Sequence, residues 1–461
     1  MVTNHNSPYN KKGISEVKVT AGRPRVVVTT GGRGVVAHVG ARLLCELADG
    51  VGLTKGLSAA MAPTKRRGRG HDRGRVLTDL AVAIADGATA ITDLRVLADQ
   101  PDLFGQVASA ATAWRGLDAT DAEALARIAA ARAQARAAAG AAGADPGWYV
   151  IDIDGVLIDA DSDEQHAAPT YKHGFGFYPL LAFLDGTGEA LAGLLRPGNT
   201  GSGTAADHLT VLEAALAQLP VDPARRQVIC RTDAGGTSHD LAAACRERRV
   251  QFIGGVRLSA QLAGMVLTLP RSRWQSTVSA DGAEIRETGE VAEITDLVEL
   301  VGWPAGTRML VRREQPHPGA QLRFTDVDGY RYQLFVTDLP EADLSYLEAL
   351  YRGRGRMECA IRDAKDTGLA NLPSHDFSIN SAWLTLVLIA TDLLAWTKAL
   401  CLDGELKTAE LKRLRYTLLH TAGMLVRSAR RTTLRLAAAW PWATDLLTAF
   451  TRLPGWTPAP G

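Results

Sequence analysis

The stretch from Trp148 to Val256 constrains the fold of this chain more than any other. Tyr149–Ile158 (YVIDIDGVLI) alternates along its length and reads as a buried strand. Tyr178–Leu184 and Leu191–Leu195 are two further strands, parted by the turn Asp185-Gly186-Thr187-Gly188. Ala205–Gln218 has the spacing of an amphipathic helix, and Gln227–Thr232 is a strand that ends at Asp233. Asp240–Arg248 is then a helix and Gln251–Val256 a fifth strand. Three strands able to pair antiparallel, followed by alternating helix and strand, make one layered α/β sheet.

That order is the order of a ribonuclease H-like catalytic core, and the rest of the chain is arranged around it. Residues 1–22 form a polar tail that is expected to be disordered, and Arg23–Thr30 (RPRVVVTT) is strand-like. Residues 23–146 are mostly helical, with a basic, glycine-bearing connection at Lys65–Gly70. Such a module suits reading a DNA end, and equally a purely structural role. Residues 147–257 hold the first part of the core. Residues 258–340 break into short β-like runs such as Thr307–Arg312, Gln321–Phe324 and Tyr332–Val336, a β-rich insertion. Residues 341–400 return to the core with a charged helix, and residues 401–461 read as a basic helical C-terminal region.

The chain has 461 residues and a net charge of +1, but its basic residues cluster at Lys65–Arg69, Arg352–Arg356 and Lys407–Arg435. Local basic patches on a neutral whole fit contact with nucleic acid, or an ordinary solvated surface. None of the five cysteines forms a CxxC pair, which indicates neither a zinc site nor a disulfide framework and suits a reducing cytoplasm. The N-terminus lacks a signal-peptide core. The longest apolar run, Ala382–Trp396, carries Asp392 and is too short to span a bilayer, so it reads as a buried core helix with no membrane partner.

The chemistry lies in three separated places. Asp152 and Asp154 are two apart on a strand and share a face. Asp233 follows another strand, just before Ala234-Gly235-Gly236. In Tyr351–Lys365 (YRGRGRMECAIRDAK), a helix places Tyr351, Arg354, Glu358, Arg362 and Lys365 on one face, with Leu350, Met357, Ile361 and Ala364 on an adjacent apolar strip. Gly353 and Gly355 weaken the first turn by about 1 kcal/mol each, a cost that fits close approach of another backbone. Carboxylates from separate elements can hold two divalent cations about 4 Å apart, with basic residues gripping phosphate oxygens. A rival reading makes DIDGVLIDAD a phosphatase motif of the haloacid-dehalogenase type, with Asp152 as nucleophile and Asp154 as general acid. No Gly-Asp dipeptide occurs in the chain to supply that family's late acidic motif.

The spacing Tyr, two residues, Arg, three residues, Glu, six residues, Lys is matched at every position by Tyr351, Arg354, Glu358 and Lys365. It resembles the signature of a large branch of bacterial insertion-sequence DDE transposases. YKHGFGFYPLLAFLD, LLRPGNTGSGTAADH, RTDAGG and LPSHDFSINSAW are similar to the thirteen-eighty group, so the resemblance runs from about Gly31 to Leu400. It implies catalytic and metal-binding roles for Asp154, Asp233 and Glu358, with Asp152 as the alternative first carboxylate because Val156 stands where the family often has Thr. It implies two Mg²⁺ ions per site, for which Mn²⁺ substitutes. It also implies DNA contacts from Tyr351, Arg354 and Lys365, to which the shared helix face adds Arg362, and a base-stacking Trp in the insertion, for which Trp274 and Trp303 are the candidates. The partners implied are double-stranded DNA, as terminal inverted repeats and target, and a second copy of the chain. The function implied is cut-and-paste transposition in a bacterial cytoplasm. A transposase-derived repressor, or a nuclease without strand transfer, is the alternative. His166, His173 and His239 read as structural or solvated, and Arg196 and Asn199 as either DNA contacts or turn braces.

Overall fold

The computed structural model describes residues 26–65, 70–161, 163–316, 319–321, 326–428 and 431–455. The expected disordered tail and most of the basic Lys65–Gly70 connection lie outside these residues. Residues 26–30 form no strand and leave Val26, Val27 and Val28 exposed, so the β propensity of that segment finds no partner strand among the described residues.

The N-terminal region is helical, as its periodicity predicts. It comprises α1 (Val39–Gly50), α2 (Leu53–Met61), α3 (Arg73–Asp86), α4 (Ala110–Asp118) and α5 (Ala122–Ala139). Asp72 and Asp121 cap α3 and α5 by accepting from the amides of Arg75 (3.0 Å) and Ala124 (2.8 Å). The core sheet follows with β1 (Tyr149–Gly155), β2 (Leu180–Leu184), β3 (Ala190–Leu194), α6 (Ala205–Leu216), β4 (Val228–Thr232), α7 (His239–Glu247) and β5 (Gln251–Val256). Strands β1, β2 and β3 pair antiparallel in turn, while β4 runs parallel to β1 and β5 parallel to β4. The order 3-2-1-4-5 is that of a ribonuclease H-like layer.

The β-rich segment does not stand apart. Its strands β6 (Gln275–Val278), β7 (Ile285–Glu293), β8 (Arg308–Glu314) and β9 (Tyr330–Thr337) continue the same sheet, with β9 pairing antiparallel to β5. Then come α8 (Leu344–Arg352), α9 (Gly355–Ala364) and α10 (Phe377–Cys401). The C-terminal region departs from the helical expectation. Strands β10 (Gly423–Ser428) and β11 (Arg431–Leu436) form a hairpin that the two-residue strand Val35–Val36 joins, before a last helix at Ala443–Thr451. Only Leu434-Arg435-Leu436 alternates with a period of two, a signal too short to stand out among the surrounding arginines.

Helix α10 is long and apolar enough to cross a membrane, yet it is mostly buried inside the protein. It is fixed by ion pairs to the alanine-rich α5. Buried Arg132 and Arg136 donate to Asp392 at 2.9 and 2.7 Å, and Arg136 also bonds Glu189 (3.0 Å) and Gln218 (2.6 Å). The Trp396 indole donates to the same Glu189 at 2.6 Å. Helical bundle and sheet are thereby locked together at the start of β3. Removing one partner leaves buried charge uncompensated. Asp392→Ala is therefore expected to destabilise the protein by about 3–5 kcal/mol, read as a lowered denaturation midpoint; a change within experimental error would contradict this role.

Candidate active site

Side chains alternate across β1. Tyr149, Ile151 and Ile153 pack with α6 and α7, whereas Val150 faces a second apolar cluster with Ile229, Ile253, Leu347, Leu350 and Tyr351. Asp152 and Asp154 share the face of Val150, which is the face that α8 covers. Parallel pairing sets Asp152 against Arg231 and Ile153 against Thr232. One step further, Asp154 and Asp233 stand side by side at the carboxyl ends of neighbouring strands, which run about 4.8 Å apart.

Asp152 has no capacity to spare. Arg231, fully buried, donates to both its oxygens at 2.6 and 2.7 Å. The same guanidinium pairs with Asp185 (2.9 Å) and donates to the Leu350 carbonyl of α8 (2.5 Å). Arg356 of α9 closes on Asp185 at 2.6 and 2.5 Å. Burial would raise the Asp185 pKa, but Arg356 and Arg231 outweigh it and hold the carboxyl below its usual range. Burial raises the Asp152 pKa against the pull of Arg231, and the side chain serves as a structural partner of that arginine. With both oxygens held by Arg231, Asp152 is tied into the buried network, whereas Asp154 lies beyond it.

Asp154 accepts from the Gly155 amide (2.8 Å) and from Arg354 Nη1 (3.2 Å). Burial first, and then the like charge of Asp233, push its pKa up to about 6 against the pull of Arg354. Asp233 is set by its own loop, with Oδ1 accepting from the amides of Gly235 (2.9 Å) and Gly236 (2.7 Å). That loop rests on His208, a residue the sequence reading passed over. A Cβ at Gly236 would come within 2.8 Å of its Nε2. His208 is 2% exposed, its Nδ1 lies 3.0 Å from the Thr204 carbonyl, and burial lowers its pKa. Tyr178 was also unforeseen. Its ring crosses Gly155, where a Cβ would lie 2.5 Å from Cζ, and its pKa is pushed up to about 12 by burial first and by Tyr171, Asp154 and Asp233.

The charged helix is not continuous. It breaks between α8 and α9 at Gly353 and Arg354, where the amides of Arg354, Arg356 and Met357 bond three residues back. A Cβ at Gly353 would meet the Arg231 guanidinium at 2.6 Å, so a side chain rather than a backbone makes the close approach; nothing lies near Gly355. Glu358 is exposed one turn beyond Arg354 on the same face. The carboxylates of Asp154, Asp233 and Glu358 do not all lie within 4.8 Å of one another. The structure therefore unites the two aspartates and holds Glu358 on the adjoining helix.

The remaining candidates divide. Tyr351 is 8% exposed and stacks on Phe335 (centroids 4.7 Å, 9°), its hydroxyl against Gly255 beside the Asp233 loop, so it supports that loop rather than reaching outward. Arg362 is exposed and pairs with Glu410 at 3.2 Å, while Lys365 is half-buried. Trp274 is 6% exposed beneath the Arg313 guanidinium (4.0 Å), which leaves little ring surface for a base. Trp303 is half-buried against His239 and Phe252. Arg196 is buried and bonds the Tyr178 carbonyl and Asp207, which makes it a brace; Asn199 is exposed.

Two adjacent carboxylates, one with a raised pKa, make an all-oxygen donor set that fits Mg²⁺ or Mn²⁺. A family model described as "Transposase DDE domain group 1" matches residues 18–457. A solved piggyBac transposase synaptic complex with hairpin DNA is similar over 85% of this chain and 82% of that chain, at 11% identity and a TM-score of 0.43. A comparison with curated proteins finds no match.

Because the folded pKa of Asp154 lies above its unfolded value of 3.8, the folded protein holds this proton more tightly. Metal-free stability therefore falls as pH rises from about 4 to about 6, and the penalty is fully present above that range. Asp154→Asn is expected to raise metal-free stability at pH 8 by about 1–3 kcal/mol and to change it little at pH 4. Denaturation curves at the two pH values check this, and an equal effect at both would contradict it.

Proposed function

Because the family match spans nearly the whole chain, this protein belongs to the DDE transposases, and from that premise we propose that it binds terminal inverted repeats, cleaves the transposon ends and transfers the freed 3′-hydroxyl to target DNA. The observation that supports the reading is that Asp154 and Asp233 follow the last paired residues of two parallel strands, close enough for the Asp233 charge to raise the Asp154 pKa, with Arg354 on Asp154. Asp154, Asp233 and Glu358 are the residues that would hold two Mg²⁺ ions. When bound, such ions activate the attacking oxygen and stabilise the leaving one.

The protein's own groups do the rest. Arg354 supplies a charge-assisted donor beside Asp154, suited to a non-bridging phosphate oxygen at the cut. Arg362 and Lys365 continue the basic face of the helix along the strand. Tyr351 and His208 hold the Asp233 loop in place from opposite sides. The helical N-terminal region reads the transposon end, and joining two ends requires two copies of the chain in the DNA complex.

Asp154→Asn, Asp233→Asn and Glu358→Gln are each expected to lower Mg²⁺-dependent nicking of inverted-repeat DNA by ~10³-fold or more, while gel shifts on that DNA persist. A Glu358→Gln enzyme of normal activity would contradict the assignment. Supplying a precut 3′-end separates a transposase, which joins it to target DNA, from a nuclease, which does not.

A further inference from the structure

The sequence reading singled out neither His38 nor His420, and the catalytic site uses neither. They meet at Asp86, the last residue of α3. His38 Nδ1 lies 2.6 Å from Asp86 Oδ2, and His420 Nε2 lies 3.5 Å from Asp86 Oδ1 and 2.8 Å from the Asp86 carbonyl. The two imidazole rings are 4.5 Å apart at an angle of 49°. Among the described residues, this is the only group of three His, Cys, Asp or Glu whose ligand atoms all lie within 4.8 Å of one another.

Asp86 carries the argument. Its side chain is 3% exposed, and Oδ1 is buried with no hydrogen-bond partner. An ionised buried oxygen without a partner costs several kcal/mol in general terms, so natural sites of this kind have an explanation. The charge of nearby Arg415 acts on Asp86 but does not bond that oxygen: its Nε goes to the Ala85 carbonyl (3.1 Å), and its buried Nη2 has no hydrogen-bond partner either. The histidines, by contrast, are partly exposed, at 28% and 41%, so an ion could enter and keep water on its open side.

We propose that His38, Asp86 and His420 bind a borderline divalent transition metal of the Zn²⁺ class. Two imidazole nitrogens with one carboxylate suit Zn²⁺ and discriminate against Mg²⁺, which prefers oxygen alone. With metal–ligand bonds of about 2.0–2.1 Å, the edge of a tetrahedral site is about 3.3–3.5 Å. The His420–Asp86 separation already meets that spacing, and the His38–Asp86 contact widens by less than 1 Å. The ion is a clamp. His38 precedes α1, Asp86 ends α3, and His420 leads into the hairpin of β10 and β11, which pairs with Val35–Val36. At this junction the Val39 amide already donates to the Thr421 carbonyl at 3.0 Å.

Co²⁺ serves as the probe, titrated into the full-length protein in excess Mg²⁺ so that the all-oxygen catalytic site is occupied. The expected result is one Co²⁺ per chain with visible absorption of a low-coordinate nitrogen-bearing site, displaced by Zn²⁺, and a melting temperature several degrees higher with Zn²⁺. His38→Gln and His420→Gln each lose the absorption and the thermal shift, while nicking in Mg²⁺ alone stays near wild type. Absence of Co²⁺ absorption in the wild-type protein, or its persistence unchanged in either variant, overturns the proposal. Circular dichroism confirms folding; if a glutamine variant fails to fold, His420→Asn replaces it and the same criteria apply.

Discussion

Arg231 sits fully buried between the sheet and α8, bonded at once to Asp152, Asp185 and the Leu350 carbonyl. Taking a guanidinium and two carboxylates out of water is expensive, and only near-complete pairing offsets it. That requirement is geometric. It fixes the register of β4 against β1, the end of β2, and the height of α8 over the sheet. Gly353 has no room for a side chain because this guanidinium occupies the space. Arg356 then ties α9 to the same Asp185, so the position of Arg354 over Asp154 follows from the buried network rather than from any contact of its own.

The active face is under electrostatic tension by construction. The network beneath it is charge-matched, but Asp154 feels the like charge of Asp233, with Arg354 as the cation placed on Asp154. The pull of Arg354 does not offset burial and the like charge, as the raised pKa of Asp154 shows. A cation with more than one positive charge relieves both. Under the proposed function, such relief would free Arg354 for a phosphate oxygen. Stability is spent here to keep two carboxylates close, and the apolar cluster around Val150, Leu347 and Tyr351 supplies the rigidity that keeps them so.

Much of this was legible in the sequence, for physical reasons. The five core strands and their helices declare themselves because burial on both faces of β1 and β4 demands runs of apolar residues with sharp ends. Asp154, Asp233 and Glu358 were singled out through the resemblance, because Tyr351, Arg354, Glu358 and Lys365 match a family signature at every interval. The roles of Asp152, Asp185 and Arg231 were not legible, since pairing depends on which strands become neighbours. Asp152 and Asp154 are two residues apart on the same face of β1, yet one meets an arginine and the other the charge of an aspartate. His208 and Tyr178 were hidden for the same reason: each acts through a glycine in another element. In the C-terminal hairpin, the period-two signal was too short to stand out among the arginines, and the cluster at Asp86 joins residues from opposite ends of the chain.

The central proposal is that Glu358, exposed on α9, is the third arm of one metal centre with Asp154 and Asp233. The most direct measurement is anomalous scattering from Mn²⁺ in crystals of the protein bound to a precut transposon end. The account requires manganese peaks bridging Asp154 and Asp233, with a Glu358 oxygen at about 2.0–2.3 Å from one of the ions. Manganese bound elsewhere, or Glu358 still turned to solvent with the ions in place, would contradict it.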